Sequence, residues 1–152
     1  DPVLDPAAVR FPAHVPFVSI HADRRLPGIP DIECDDEGGV FEMVRMLVAQ
    51  GHRRLLHLAG DAGAVGGTQR LQGYLRALRE AGIPHDPALV VETGYVAERG
   101  HAGIKAWLAA NVGQPLPDAV VCCNDACAFG AIEALAEAGL RVPDDVSVTG
   151  FD

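Results

Sequence analysis

The hydrophobic residues of this chain alternate between short apolar segments and stripes with helical spacing. The segments at residues 55–59, 89–91, 119–123 and 146–149 predict strands, and the continuous apolar run at 119–123 is typical of a fully buried one. Other stretches place apolar residues three or four positions apart and predict helices. These stripes are Val40, Met43, Val44, Leu47 and Val48; Leu71, Tyr74, Leu75 and Leu78; Ile104, Trp107 and Leu108; and Ala128, Ala131, Ile132, Leu135 and Ala136. From residue 35 onward, the pattern predicts a helix followed by a strand, four times over.

This alternation predicts an α/β fold with a doubly wound, mostly parallel sheet and helices on both faces. Parallel neighbouring strands require long, usually helical, crossovers, so the order of elements indicates the architecture. Residues 15–20 and a short segment that ends near Cys34 indicate two further strands joined by a turn-rich stretch. We therefore divide the chain into residues 1–34 and 35–152. Ligands of such sheets bind at the carboxyl ends of the strands.

The formal net charge of −9 argues against DNA contact by this segment. Binding to phosphates requires Lys and Arg concentrated on one face. No apolar run approaches the ~18–20 residues that cross a bilayer, and no secretion signal is visible, so we expect a cytoplasmic location and no membrane contact. The cysteines Cys34, Cys122, Cys123 and Cys127 lack the spacing of a disulfide framework, and we expect reduced thiols.

Polar and glycine-rich residues follow four of the predicted strands. Residues 60–67 contain four glycines, but they lack both the GxGxxG spacing and the lysine of a P-loop, so the nucleotide-binding signal is weak. Arg70 comes next, in the expected first turn of a helix, where its planar fork could hold two ligand oxygens. The alternative for Arg70 is a salt bridge to a nearby carboxylate.

The strand at 119–123 is followed by Asn124 and Asp125. We expect Asp125 to cap the next helix by accepting from its first amides. Asn124 is the better ligand candidate because its amide both donates and accepts hydrogen bonds. Cys122 and Cys123 should point to opposite faces of the strand, so we expect no metal site there.

Nothing in the sequence supports catalysis. The six histidines form no set with a nucleophile, no GxSxG motif is present, and no carboxylate pair is spaced for acid–base work. We therefore expect a binding protein without a cofactor or a catalytic residue, and not an enzyme.

Three segments resemble successive landmarks of the LacI/GalR transcription regulators. They are GHRRLLHLAG at 51–60, RLQGYLRALREAGI at 70–83 and AVVCCNDACAFGAIEALAEAGLRVPDDVSVTGFD at 119–152. The resemblance implies two α/β lobes like those of periplasmic sugar-binding proteins (type I), with a ligand cleft between them. By this resemblance, residues 1–34 are a remnant of the first lobe and its crossover, 35–152 are the second lobe, and the helix-turn-helix head that binds operator DNA lies outside this chain.

The resemblance also implies ligand contacts by Arg70, Tyr95, Asn124 and Asp152. His21 stands where the family commonly carries an acidic residue, and it is either a further ligand contact or an exposed loop residue. An arginine, an amide, a carboxylate and an aromatic face suit a sugar with vicinal hydroxyls.

The resulting hypothesis is the effector-binding part of a transcription regulator, a repressor, in which a small polar effector, a sugar, controls DNA binding allosterically. A homodimer is expected because operators are usually two-fold symmetric. Two alternatives stay open: a periplasmic sugar-binding transport protein, and a nucleotide-using α/β enzyme built around residues 60–67.

Overall fold

The computed structural model describes Pro12, residues 14–20 and residues 28–152, and it divides the chain into two compact units, Asp1–Asp35 and Asp36–Asp152. In the first unit, Ser19–Ile20 (β1) and Asp31–Ile32 (β2) form a parallel two-stranded sheet. The strand expected over residues 15–20 is therefore limited to its last two residues. Pro16, which has no amide hydrogen for a strand ladder, lies in the part that does not pair.

The second unit contains four helices and four strands in the predicted alternating order. The elements are α1 (Asp36–Ala49), β3 (Leu55–Ala59), α2 (Val65–Glu80), β4 (Val90–Glu92), α3 (Ala97–Ala110), β5 (Ala119–Cys122), α4 (Asp125–Glu137) and β6 (Ser147–Thr149). The strands lie in the order β4-β3-β5-β6 and all pair in parallel, which confirms the predicted α/β class. In the part of the chain that the structure describes, no helix combines the length and the apolar character needed to cross a membrane.

The sheet of the second unit carries a separate apolar core on each face. Leu55 and Val121 pack with α1 and α2 on one face, whereas Leu56, Leu58 and Val120 pack with α3 and α4 on the other. Successive strand residues point to opposite faces, so a strand covered on both sides is apolar throughout. All five residues of β3 are buried, as this arrangement requires.

Helix α2 begins earlier than the apolar stripe indicated, and this changes the position of Arg70. The helix starts at Val65, so Gly66 and Gly67 belong to its first turn, and Arg70 lies in its second turn rather than its first. A Cβ atom at Gly67 would lie 3.0 Å from the hydroxyl of Tyr95. Close packing that only glycine allows thus outweighs the low helix propensity of this residue.

Candidate functional site

The carboxyl ends of the four parallel strands bring the candidate residues of the second unit to one edge of the sheet. Tyr95 follows β4, Asn124 follows β5, and Phe151 with Asp152 follow β6. Arg70 reaches the same edge from α2 and contacts residues after β5 and β6. The structure thus brings together four of the five residues proposed as ligand contacts. His21 lies outside the described residues.

Arg70 is buried and forms an ion pair with Asp36, the first residue of α1. Its Nε and Nη2 atoms each lie 2.9 Å from Oδ1 of Asp36, and the two side chains are 8% and 1% exposed. Nη1 donates to the main-chain carbonyls of Cys123 and Phe151. Arg70 therefore forms a salt bridge, which was the alternative to a ligand contact, since its planar guanidinium faces Asp36. Whether Arg70 also contacts a ligand stays a prediction.

Sequence reasoning missed Asp36 as a member of this edge. It was visible only as one of several acidic residues at the start of a helix, a position that acids favour for their interaction with the helix dipole. Its partner lies 34 positions further along the chain. Its burial distinguishes Asp36 from the other acidic residues of this segment, and that burial is seen only in the structure.

Two aromatic rings lie close to the Arg70 guanidinium. Its Cζ atom lies 5.8 Å from the centroid of Tyr95 and 5.1 Å from that of Phe151, within the range of cation–π attraction. Burial raises the pKa of the Tyr95 hydroxyl, and the charge of Arg70 opposes this only in part. The hydroxyl therefore stays neutral at physiological pH and can both donate and accept a hydrogen bond.

The structure assigns the cap of the helix after β5 to Asn124 rather than to Asp125. Helix α4 begins at Asp125, and its cap is Asn124, whose Oδ1 accepts from the backbone N–H of Cys127 at 2.9 Å. The prediction that Asp125 is the cap was wrong, because β5 ends at Cys122 and the helix begins one residue earlier than assumed. The Nδ2 group of Asn124 donates to the main-chain carbonyl of Tyr95 at 3.0 Å. A carboxamide retains a second N–H and a second lone pair after these bonds, so a ligand contact stays a prediction.

Asp152 is exposed beside the N-terminus of α4. Its Oδ2 accepts from the backbone N–H of Asp125 at 3.3 Å. A carboxylate at a helix N-terminus is favoured by the helix dipole and by the free amides of the first turn. The second oxygen of this carboxylate is an acceptor of the kind that a ligand hydroxyl requires.

Three thiols lie directly behind this edge. Cys122, Cys123 and Cys127 are fully buried in the same apolar core, so the expectation that Cys122 and Cys123 face opposite sides was wrong. The strand ends at Cys122, and the chain turns there. The Cys123 thiol donates to the carbonyl of Gly94 at 2.9 Å. The neighbouring Cys127 thiol, followed by burial, raises the pKa values of Cys122 and Cys123, so both are neutral thiols. No group of three or more ligating side chains suited to a metal ion occurs within residues 12, 14–20 and 28–152.

This fold, with its candidate residues at the carboxyl edge of the sheet, defines the class of periplasmic-binding-protein-like lobes. The family model for the periplasmic binding protein-like domain matches residues 44–152. Among curated relatives, the transcriptional regulator DegA of Bacillus subtilis is 33% identical over 91% of this chain and 40% of its own length. The transcriptional repressor CytR of Escherichia coli is 34% identical over 92% of this chain and 44% of its own length.

The solved structures that this chain resembles are also those of transcriptional regulators. A sugar-binding LacI-family regulator from Escherichia coli, complexed with phosphate, superposes with a TM-score of 0.80 at 31% identity, over 90% of this chain and 48% of that one. The complex of the regulator CelR with cellobiose gives a TM-score of 0.77 at 29% identity, over 91% and 49%. The chain belongs to the LacI family of transcriptional regulators, and it spans less than half the length of the curated relatives described above. The family resemblance read from the sequence is therefore confirmed.

Proposed function

We propose that this chain binds a small neutral effector, a sugar, at the edge formed by Arg70, Tyr95, Asn124 and Asp152. The observation that carries this proposal is the convergence of these four residues at the carboxyl ends of adjacent parallel strands, where ligands of this architecture bind. The aromatic face of Tyr95 suits the apolar side of a pyranose ring, and the amide and carboxylate suit its hydroxyls. His21 is a further proposed contact, from residues outside the described part.

The contacts that Arg70 already makes determine how many of its N–H groups are available to a ligand. Of its five N–H groups, Nε and Nη2 each direct one at Asp36, and the two on Nη1 match the carbonyls of Cys123 and Phe151. One Nη2 hydrogen remains beyond these four contacts. The positive charge is balanced by Asp36 within the lobe. We therefore propose that Arg70 donates one hydrogen bond to a hydroxyl and does not neutralise an anionic ligand.

We further propose that effector binding controls operator DNA through a DNA-binding domain outside this chain. In this proposal residues 1–34 belong to the first lobe, residues 35–152 form the second lobe, and the protein acts as a cytoplasmic homodimer and not as an enzyme. Only an effector with different affinities for the two lobe arrangements can shift the regulator between states. A coupling free energy of roughly 1–3 kcal/mol would be typical of such control.

The ligand part of this proposal is tested by calorimetry on the full chain with neutral sugars, including cellobiose, and with nucleobases and nucleotides. We expect one sugar to bind, and we expect Asp152→Ala to weaken it about tenfold, the effect of one charge-assisted hydrogen bond. The matched control is Asp144→Ala, an exposed aspartate that pairs with Arg141 in the loop before β6. Equal loss of affinity in both variants, or binding of nucleotides with turnover, would contradict the proposal.

A further inference from the structure

Two adjoining hollows lie at the other edge of the second unit, where the strands begin. One, of about 240 Å³, lies beside the start of β3 and is lined by residues that include Arg53, Arg54 and Leu89. The other, of about 470 Å³, lies along the C-terminal end of α2 and the loop after it. Leu78, Ile83 and Pro84 line both hollows. Together they form one groove, which we call the amino-edge groove.

The floor of the amino-edge groove is apolar. Leu55, Leu78 and Leu89 are buried beneath it, and Ile83 is half-buried at its centre. Tyr74 contributes its ring to the wall, and its hydroxyl is already satisfied by the carbonyl of Leu55 at 2.8 Å. The apolar surface that water still reaches belongs to Leu75, Ile83 and Pro84, and an apolar body that covers these residues would gain stability in proportion to the area removed from water.

The rim of the groove is cationic, although the chain as a whole carries a formal charge of −9. The side chain of Arg79 is exposed, and its guanidinium makes no hydrogen bond or ion pair with any residue that the structure describes. Arg53 donates to the main-chain carbonyls of Val48 and His52, both at 2.8 Å. A carbonyl positions a guanidinium without neutralising it, so Arg53 keeps its full charge toward the groove.

The acids near the groove are engaged in structural bonds. Asp118 accepts the backbone N–H groups of Arg53 and Arg54 at 2.6 and 2.7 Å. These bonds lower the pKa of Asp118 against the opposing effect of its burial. Asp86 accepts the N–H of Ala88 at 2.9 Å and lies 4.0 Å from Arg54. Among the described residues, Arg53, Arg54 and Arg79 therefore face two aspartates, which leaves an excess of positive charge at the rim.

We propose that the amino-edge groove binds a small amphiphilic carboxylate, with its apolar body on Ile83 and Pro84 and its carboxylate at Arg79. The site is separate from the proposed effector site, because it lies where the strands start rather than where they end. Arginine suits this role since its planar fork matches the two oxygens of a carboxylate. An apolar floor with one convergent charged group is the usual composition of a small-molecule site.

The probe for this proposal is sodium decanoate, used below its micelle concentration and titrated into the full chain by calorimetry. We expect one decanoate to bind per chain, and we expect amide NMR shifts at residues 78–86 rather than around Asn124. Arg79→Gln should weaken binding about tenfold. It should leave the unfolding temperature of the free protein unchanged, because the side chain of Arg79 makes no hydrogen bond or ion pair within the described residues.

Two controls separate recognition from adventitious adsorption. Arg45→Gln removes another exposed arginine, on α1 and paired with Glu42, and should leave decanoate affinity unchanged. Decanol carries the same tail without the charge and should bind at least about tenfold more weakly. Equal affinity for decanol, no effect of Arg79→Gln, or a fall in unfolding temperature with decanoate would overturn the proposal. Sugar binding by Arg79→Gln reports separately on the effector site.

Discussion

Acid should destabilise this protein through one buried histidine, His57 of β3. His57 is fully buried and its ring stacks on Tyr74, with centroids 4.8 Å apart. Its Nδ1 lies 2.8 Å from the carbonyl of Val121, which can only accept, so the proton of the neutral ring belongs on Nδ1. Nε2 is buried and has no hydrogen-bond partner among the residues that the structure describes. Protonation would therefore place a charged N–H group in the apolar core with no acceptor.

Burial lowers the pKa of His57 from its ordinary value of 6.5 to about 4, and the bond to Val121 opposes this only in part. The unfolded chain thus binds this proton more tightly than the folded protein does. The stabilising contribution of the neutral His57 ring to the folded state is fully present above pH 6.5 and is lost as the pH falls toward 4. The whole effect is about 3 kcal/mol, of which about 2 kcal/mol is lost between pH 7.5 and pH 5.0.

The assay is urea unfolding at pH 7.5 and pH 5.0, followed by circular dichroism. His57→Leu keeps a similar volume and removes the titration, so we expect its free energy of unfolding to lose about 2 kcal/mol less over this interval than that of the unmodified protein. His85→Asn, at an exposed loop position, should retain the full loss. The same pH dependence in the unmodified protein and in His57→Leu would refute the reasoning.

Two further predictions concern contacts that hold the second unit together. Asp36→Asn leaves the buried Arg70 charge without its partner and should lower the free energy of unfolding by about 3–5 kcal/mol, measured in urea at pH 7.5; a loss under about 1 kcal/mol would show that the pair is dispensable. Gly130→Ala places a methyl group against the carbonyl of Ala97 where α4 crosses α3. It should cost about 1–3 kcal/mol by overpacking, and an unchanged unfolding temperature would contradict the close approach of these helices.

The fold was largely predictable because its signals are local. Both faces of β5 are covered, so every position of residues 119–122 is apolar, and this continuous apolar run is visible in the sequence itself. The start of α2 was not predictable in the same way. Gly67 is a weak helix former, and it is helical here because tight packing against the main-chain oxygen of Asp61 and the hydroxyl of Tyr95 favours a residue without a side chain.

The residues of the candidate site also differ in whether local sequence signals could place them. Tyr95, Asn124 and Asp152 could be placed at one edge because each follows a strand that the sequence already marked. The pairing of Arg70 with Asp36 could not, since it depends on how α1 and α2 pack, and sequence spacing says little about such contacts. The choice of Asn124 rather than Asp125 as the cap depended on a single residue of helix boundary, which is the least certain part of any such prediction.

The guanidinium of Arg70 fastens three stretches of chain that lie 34, 53 and 81 positions away from it. No short peptide from this lobe contains all of them, so the edge cannot be assembled piecemeal. The ligand contact proposed for Arg70 consequently depends on the completed lobe, because α1, the turn after β5 and the segment after β6 must all be in place before the arginine has a fixed position.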